Sequence, residues 1–268
     1  MKVGAVQMVS STHPASNLKQ ALALIAQAAD QGCELVALPE YFCLLGRQDT
    51  DKLAIAEFLG DGPLQEALAR SAQQHRIWIA GGTLPIRTGA SDRVFNTSLV
   101  FDANGQQVAR YDKMHLFAFD NGKEHYDEAK VLEAGYAPTT FNLNSVDGFC
   151  WRVGLSICYD LRFPELYRLL AADLLLIPSA FTHTTGQAHW ETLVRARAIE
   201  NQAFVVAPAQ GGLHENGRRT WGSTMIVDSW GRVLDHRQEG AGLICAVLEW
   251  SAMQEHRQQL PALTHRRL

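Results

Sequence analysis

The chain has 268 residues, of which 47% are hydrophobic and 19% charged, with a formal net charge of −4. That balance is ordinary for a globular protein and argues against extended disorder. The lack of any block of five like charges argues against a nucleic-acid groove or an anionic-membrane binder, so the expected partner is a small molecule, with no nucleic acid and no membrane.

The N-terminal segment MKVGAVQMVSSTHPAS holds too short an apolar stretch for a secretory signal, and no apolar run approaches a bilayer span. Residues 3–8 read as a buried strand. A helix is predicted from about Asn17 to Gln31, with Leu18, Leu22, Ile25 and Ala28 on one face and Ser16 as its N-cap. Leu35–Leu38 reads as a second strand leading into Pro39 and Glu40, Pro63 opens a helix carrying Leu64 and Leu68, and Ile77–Ala80 follows as a strand. Ser98–Asp102 and Gln106–Tyr111 flank Ala103-Asn104-Gly105, a hairpin signal in which both Asn and Gly tolerate positive φ. Downstream, strands are predicted at Arg152–Ile157, Leu174–Ile177, Phe204–Pro208, Ser223–Asp228 and Leu243–Val247. Helices are predicted around Pro164–Ala172 and over Gln187–Gln202. Alternating short apolar strands and helices imply a layered α/β fold with a mixed sheet, and sites in such folds form at strand ends. No Pro/Gly/Ser-rich linker, low-complexity tract or repeat divides the chain, so residues 1–268 are read as a single domain.

The five cysteines, Cys33, Cys43, Cys150, Cys158 and Cys245, are scattered and form no C-x-x-C pair. This pattern fits free thiols in a reducing compartment, and the expected location is the cytoplasm. Cys158 differs from the other four in its context. It follows the apolar run Val153–Ile157 and precedes the polar stretch YDLRFPE, a strand-to-helix junction. A helix N-terminus there lowers a thiol's pKa, and turn N–H groups can meet an oxyanion. Glu40 emerges at the end of LVALP, where apolar walls raise a carboxyl's pKa and suit it to general-base work. Lys113 lies just past VARYD, again at a strand end, placed to offer positive charge to an oxyanion. Taken one at a time, these residues read equally as a buried cysteine, a loop glutamate and a surface lysine.

Together they carry a resemblance. The segments LVALPEYF (35–42), YDKMHLF (111–117) and GLSICYDLRFPELYR (154–168) resemble the three catalytic blocks of the nitrilase superfamily, the carbon–nitrogen hydrolases. IAGGTLP (79–85), VFNTSLVFDANG (94–105), HWETLVRARAIENQAFVV (189–206) and WGSTMIVDSWG (221–231) resemble its structural blocks. FTHTTGQAHWETLVRARAIENQ (181–202) is most similar to the Nit-type branch. The resemblance implies an α-β-β-α sandwich with mixed sheets, a homodimer, no cofactor and no metal. It implies catalysis by Glu40, Lys113 and Cys158, an oxyanion contact from the Tyr159 backbone, and a second glutamate. That glutamate is placed at Glu128 in HYDEAKVLEAG (125–135), with Glu124 and Glu133 close by; Ala129 stands where the family usually has serine. Ser223 stands where the family often has histidine or glutamate.

The branch implies an amidase acting on a small carboxylated amide, such as deaminated glutathione cleaved to 2-oxoglutarate and cysteinylglycine; ω-amidase, nitrilase and other superfamily chemistries share the triad. Arg162, Arg195, Arg197 and Arg219 are candidates to grip a carboxylate, and Tyr41, Phe117, Phe181, Thr182 and His183 adjoin the catalytic blocks as candidate pocket walls. Other readings find less support. None of the ten histidines stands in a cysteine-protease context, His183 and His189 lack zinc-site spacing, and His115 reads as packing within its own block. A non-catalytic binding scaffold is signalled most simply by loss of one of the three residues, and all three are intact.

Overall fold

In a computed structural model that describes residues 1–267, two mixed sheets lie between two helical layers. The first sheet runs from edge to edge as Gly242–Val247, Lys2–Gln7, Leu35–Ala37, Trp78–Ala80, Val94–Phe101 and Leu84–Arg87, and Gln107–Asp112 and Leu132–Glu133 also pair with Val94–Phe101. The second runs as Thr139–Asn144, Cys150–Leu155, Leu174–Leu176, Phe204–Ala207, Thr224–Val227 and Val233–Arg237. In each sheet three central strands are parallel and antiparallel strands flank them.

Strand periodicity makes the layers. Along the first two strands of the chain Val3, Ala5, Leu35 and Ala37 point to the core shared with the second sheet, whereas Val6, Val36 and Leu38 point to the opposite core. Helices α1 (Pro14–Asp30) and α3 (Pro63–His75) cover that opposite face with Ala21, Ile25, Leu64 and Leu68; the short α2 (Asp51–Ala54) lies between them in sequence. Leu174, Leu175 and Leu176 are all buried, because the second sheet meets the first on one face and helices on the other. Those helices are α4 (Pro164–Leu170) and α5 (His183–Asn201), which contribute Leu166, Leu170, Trp190, Val194 and Ala198. Trp78 of one sheet stacks on Phe141 of the other at 5.9 Å between centroids.

Several boundaries differ from the sequence reading. Helix α1 starts at Pro14, whose fixed φ suits the first helical position, so Ser16 sits inside the first turn and His13 precedes the helix. Helix α5 starts at His183 rather than Gln187, because the Thr182 hydroxyl accepts from the Thr185 N–H at 3.2 Å and caps it. In the hairpin at 102–106 only Gly105 takes positive φ; the Asp102 carboxylate shapes the turn by accepting from the N–H groups of Asn104 and Gln106. Two short hairpins, Ala118–Asp120 with His125–Asp127 and Gly211–Leu213 with Arg219–Trp221, were not predicted. The polar C-terminal segment forms α6 (Trp250–Gln259), which buries Met253 and anchors through Arg257 to Asp173 at 2.7 Å. Among the described residues no helix is long and apolar enough to cross a membrane.

Candidate active site

Three strand ends converge on one cleft. Glu40 follows Leu35–Ala37, Lys113 follows Gln107–Asp112, and Cys158 follows Cys150–Leu155. Glu40 and Lys113 are each 1% exposed and Cys158 is 8% exposed. Lys113 Nζ donates to Glu40 Oε1 at 3.0 Å and to both oxygens of Glu128 at 2.9 and 2.8 Å. Of the three glutamates that the sequence offers in this stretch, Glu128 is the one beside Lys113. Glu124 instead accepts from Thr184 at 2.8 Å, and Glu133 lies in a paired strand.

Local geometry fixes each group. Asn96 donates to Glu40 Oε1 at 2.8 Å, and Gln210 donates to the Glu40 carbonyl at 3.0 Å. The Tyr41 hydroxyl and the Phe117 N–H hold the two oxygens of Glu128 at 2.8 and 2.7 Å. Cys158 takes φ +50°, a left-handed conformation costly for a residue with a side chain. It is held there by its N–H donating to Pro178 O at 3.0 Å and by Asp160, buried behind it, which accepts from the Ile157 N–H at 2.8 Å. Asp160 also accepts from the Tyr111 hydroxyl at 2.7 Å and contacts His115 Nδ1 at 2.6 Å, tying the lysine segment to the cysteine turn. His115 thus reaches outside its own block, where it stacks on Phe163 at 3.7 Å between centroids.

Electrostatics divide the groups by role. Burial raises the Glu40 carboxyl above its ordinary value; the Lys113 ammonium opposes that shift and the Glu128 carboxylate adds to it. Burial also penalises Glu128, but the Lys113 charge and its hydrogen bonds win and hold that carboxyl low. Burial pulls Lys113 down, and Glu128 and Glu40 more than offset it, so the ammonium stays charged. The Cys158 thiol is raised by burial and then by the Glu40 charge. This corrects the expectation of a thiol acidified by a helix N-terminus. Only a single 3-10 turn, Cys158–Arg162, follows the strand before α4 begins, and its field does not overcome desolvation. The Cys158 thiol therefore needs a neighbouring base to become a thiolate, and Glu40 is the carboxyl that acts on it.

The cleft opens to solvent beside these groups. Glu40, Tyr41, Phe117, Glu128, Cys158 and Thr182 line it, and a neighbouring hollow adds Tyr159, Arg162, Phe181 and Thr185. His183 stands outside this lining, edge-on to Trp221. Ser223 also lies away from it, with its hydroxyl on His236 at 2.6 Å. Of the candidate arginines, Arg195 and Arg197 are structural: Arg195 bonds Gly231 O, and Arg197 bonds Leu161 O and Glu200. Arg219 lines the cleft but faces Glu239 at 3.5 Å, and Arg162 lies over Tyr159 and Phe181 beside His189. Sequence reasoning missed Asn96, Asp160, Gln210, Lys52 and Arg218. The last two line the cleft from a short helix and a hairpin that no periodicity announced. Among the described residues no group of three or more His, Cys, Asp or Glu is placed to hold a metal.

The sequence profile of the carbon–nitrogen hydrolase family matches residues 2–258. A Synechocystis protein named deaminated glutathione amidase is 41% identical, over 98% of this chain and 96% of its own. The crystal structure of the Caenorhabditis elegans NitFhit protein superposes with a TM-score of 0.90 at 37% identity, covering 99% of this chain and 65% of that longer one. Saccharomyces cerevisiae Nit3, described as a member of branch 10 of the nitrilase superfamily, gives 0.88 at 29% identity, over 100% of this chain and 97% of its own.

Proposed function

The chain belongs to the carbon–nitrogen hydrolase family, and we propose that residues 1–268 act as one catalytic unit that hydrolyses deaminated glutathione to 2-oxoglutarate and cysteinylglycine. The observation that carries the chemistry is the buried Glu40–Lys113–Glu128 cluster set against the Cys158 thiol in one cleft. The substrate assignment draws on the relatives that bear that name.

In this reading the Cys158 proton passes to Glu40 as sulfur bonds to the amide carbon. The carbonyl π electrons move to oxygen, and the oxyanion is met by Lys113 and the Tyr159 N–H. Tyr159 is the second residue of its turn, where no intrahelical acceptor exists for that N–H. Each such donor is worth about 3–4 kcal/mol in the transition state. Glu40 then gives its proton to the departing amine as the carbon–nitrogen bond breaks. The thioester that remains is cleaved by a water that Glu40 deprotonates, which restores the thiol. Glu128 holds Lys113 through both carboxylate oxygens and so fixes the position of its ammonium charge beside the thiol. Tyr41, Phe117, Phe181 and Thr182 shape the walls.

A homodimer and a cytoplasmic setting complete the proposal. Exposed Leu169 and Ile199 on the outer helices support the first, and five free thiols support the second. The deciding experiment measures 2-oxoglutarate release from deaminated glutathione and from 2-oxoglutaramate, beside the Cys158→Ala variant. Cysteine-dependent release with preference for the peptide supports the reading. Preference for 2-oxoglutaramate moves it to ω-amidase, and turnover retained by Cys158→Ala removes the nucleophile assignment.

A further inference from the structure

The cleft is rich in cations. Lys52, Arg218 and Arg219 line it and Lys113 stands in the glutamate cluster, and three of these four are already committed. Lys113 is held by two glutamates. The Arg218 guanidinium donates to Asp49 at 3.0 Å and lies over the Tyr126 ring. Arg219 faces Glu239. Lys52 differs. Its side chain is 15% exposed, its ammonium lies over the Tyr41 ring at 4.9 Å from the centroid, and the one carboxylate within 4 Å, Asp49, is 3.9 Å away, with Glu128 acting on it from farther off. That distance is beyond hydrogen-bond reach, and Asp49 already accepts from Arg218. Among the described residues Lys52 makes no hydrogen bond, although an ammonium carries three donors and a desolvated one without acceptors is costly.

The position of Lys52 is built rather than incidental. The 45–52 segment that carries it is clamped by the hairpin tip. Asn216 donates to the carbonyls of Leu45 and Gly46 at 3.2 and 2.7 Å, and Arg218 holds Asp49. Tyr41 supplies its ring face to Lys52 and its hydroxyl to Glu128, so one residue separates the uncommitted cation from the catalytic cluster. Burial pulls the Lys52 ammonium down from its ordinary value, and an anion brought beside it reverses that penalty.

We propose that Lys52 is the anchor for a substrate carboxylate, which makes this a site for amides bearing a carboxylate at a distance from the scissile bond. The inference rests on the amidase reading above and assigns its specificity. Two carboxylates offer the required chemistry: that of the acyl chain, and that of the departing dipeptide.

The test compares wild type, Lys52→Met and Lys52→Arg, after confirming that each melts cooperatively, on deaminated glutathione, 2-oxoglutaramate and butyramide. In Lys52→Met the kcat/KM ratio of carboxylated amide to butyramide falls at least tenfold, mainly through KM, and Lys52→Arg restores most of it. A fall on both carboxylated amides assigns the acyl carboxylate; a fall on the peptide alone assigns the dipeptide carboxylate. An unchanged ratio in an otherwise active variant overturns the anchor and leaves the amidase reading intact. Wild-type enzyme that cleaves butyramide but neither carboxylated amide overturns both. A turnover-independent readout is protection of Cys158 from iodoacetamide by 2-oxoglutarate and by cysteinylglycine: protection by either one lost in Lys52→Met supports the anchor, and equal protection by both in the two proteins removes it.

Discussion

Lys113 sits between two carboxylates that its charge does not treat alike, and the difference has a measurable sign. The Glu128 carboxyl is held low, so its contribution to stability is present above the ordinary carboxylate value and is lost as pH falls through its depressed pKa. The Glu40 carboxyl is pushed up by burial, so its sign is opposite: stability is greatest below the ordinary value and declines as pH rises through the raised one. Replacing Glu128 with Gln is therefore expected to lower stability at pH 7 by about 1–3 kcal/mol, since buried donors lose a charged acceptor. Glu40→Gln is expected to melt at or above the wild-type temperature while losing about 10²–10⁴-fold in kcat/KM. Thermal melts at pH 7, with kinetics on the same preparations, check both; a Glu40→Gln protein that melts well below wild type removes the argument. The acid limb of the wild-type rate profile should likewise lie above the ordinary carboxylate range, because Glu40 must be ionised to accept the thiol proton. The placement of Glu40, Lys113 and Cys158 at strand ends was legible in the sequence because each closes a predicted strand in a recognisable block. Asn96, Asp160 and Lys52 were not, because each joins the site only through contacts with segments distant in the chain.

At the level of elements, the site depends on how closely two strand-ending loops approach. Gly82 takes φ +57°, and a Cβ there would stand 2.2 Å from the Pro39 carbonyl oxygen, next to Glu40. Ala cannot occupy that point without moving the backbone that aims Glu40. Gly122, at φ +79°, has nothing within 4 Å of a built Cβ, so it isolates the cost of the dihedral alone. Gly122→Ala is expected to cost about 1 kcal/mol with turnover near wild type. Gly82→Ala is expected to lose more stability than that and at least tenfold in kcat. Equal melting temperatures and equal kcat for the two variants would show that the approach at Gly82 is not what positions Glu40. The same closeness explains what the sequence concealed. The layered α/β order was visible because strand alternation and helix periodicity report burial directly, whereas the α-β-β-α sandwich was implied only by the family resemblance. The 3-10 turn after Cys158 and the clamp at 211–221 are short, polar or strained, and tertiary hydrogen bonds rather than local propensity hold them. The start of α5 was misplaced because its first turn, HTTG, has weak propensity and relies on the Thr182 cap.

Taken as a whole, the molecule leaves one helical layer incompletely covered. Leu169 on α4 is 65% exposed and Ile199 on α5 is 50% exposed, and Trp230 stands out from the turn that Arg195 of α5 fastens through Gly231 O. Apolar side chains of this size in one layer mark a surface meant for burial. Pairing it with a second copy joins two sandwiches through their helices, with an isologous contact that closes on itself. The cleft opens between strand ends and the 211–221 hairpin, with Thr185 at the start of α5 beside it, and neither Leu169 nor Ile199 lines it. Light scattering should therefore give about twice the 29.7 kDa chain mass for wild type. The double variant Leu169→Asp, Ile199→Asp should shift to the monomer mass, because two charges placed in a desolvated contact without partners oppose association strongly. A dimer that survives both substitutions would place the interface on another face. A wild-type monomer would leave Leu169 and Ile199 as exposed apolar positions that serve no self-association.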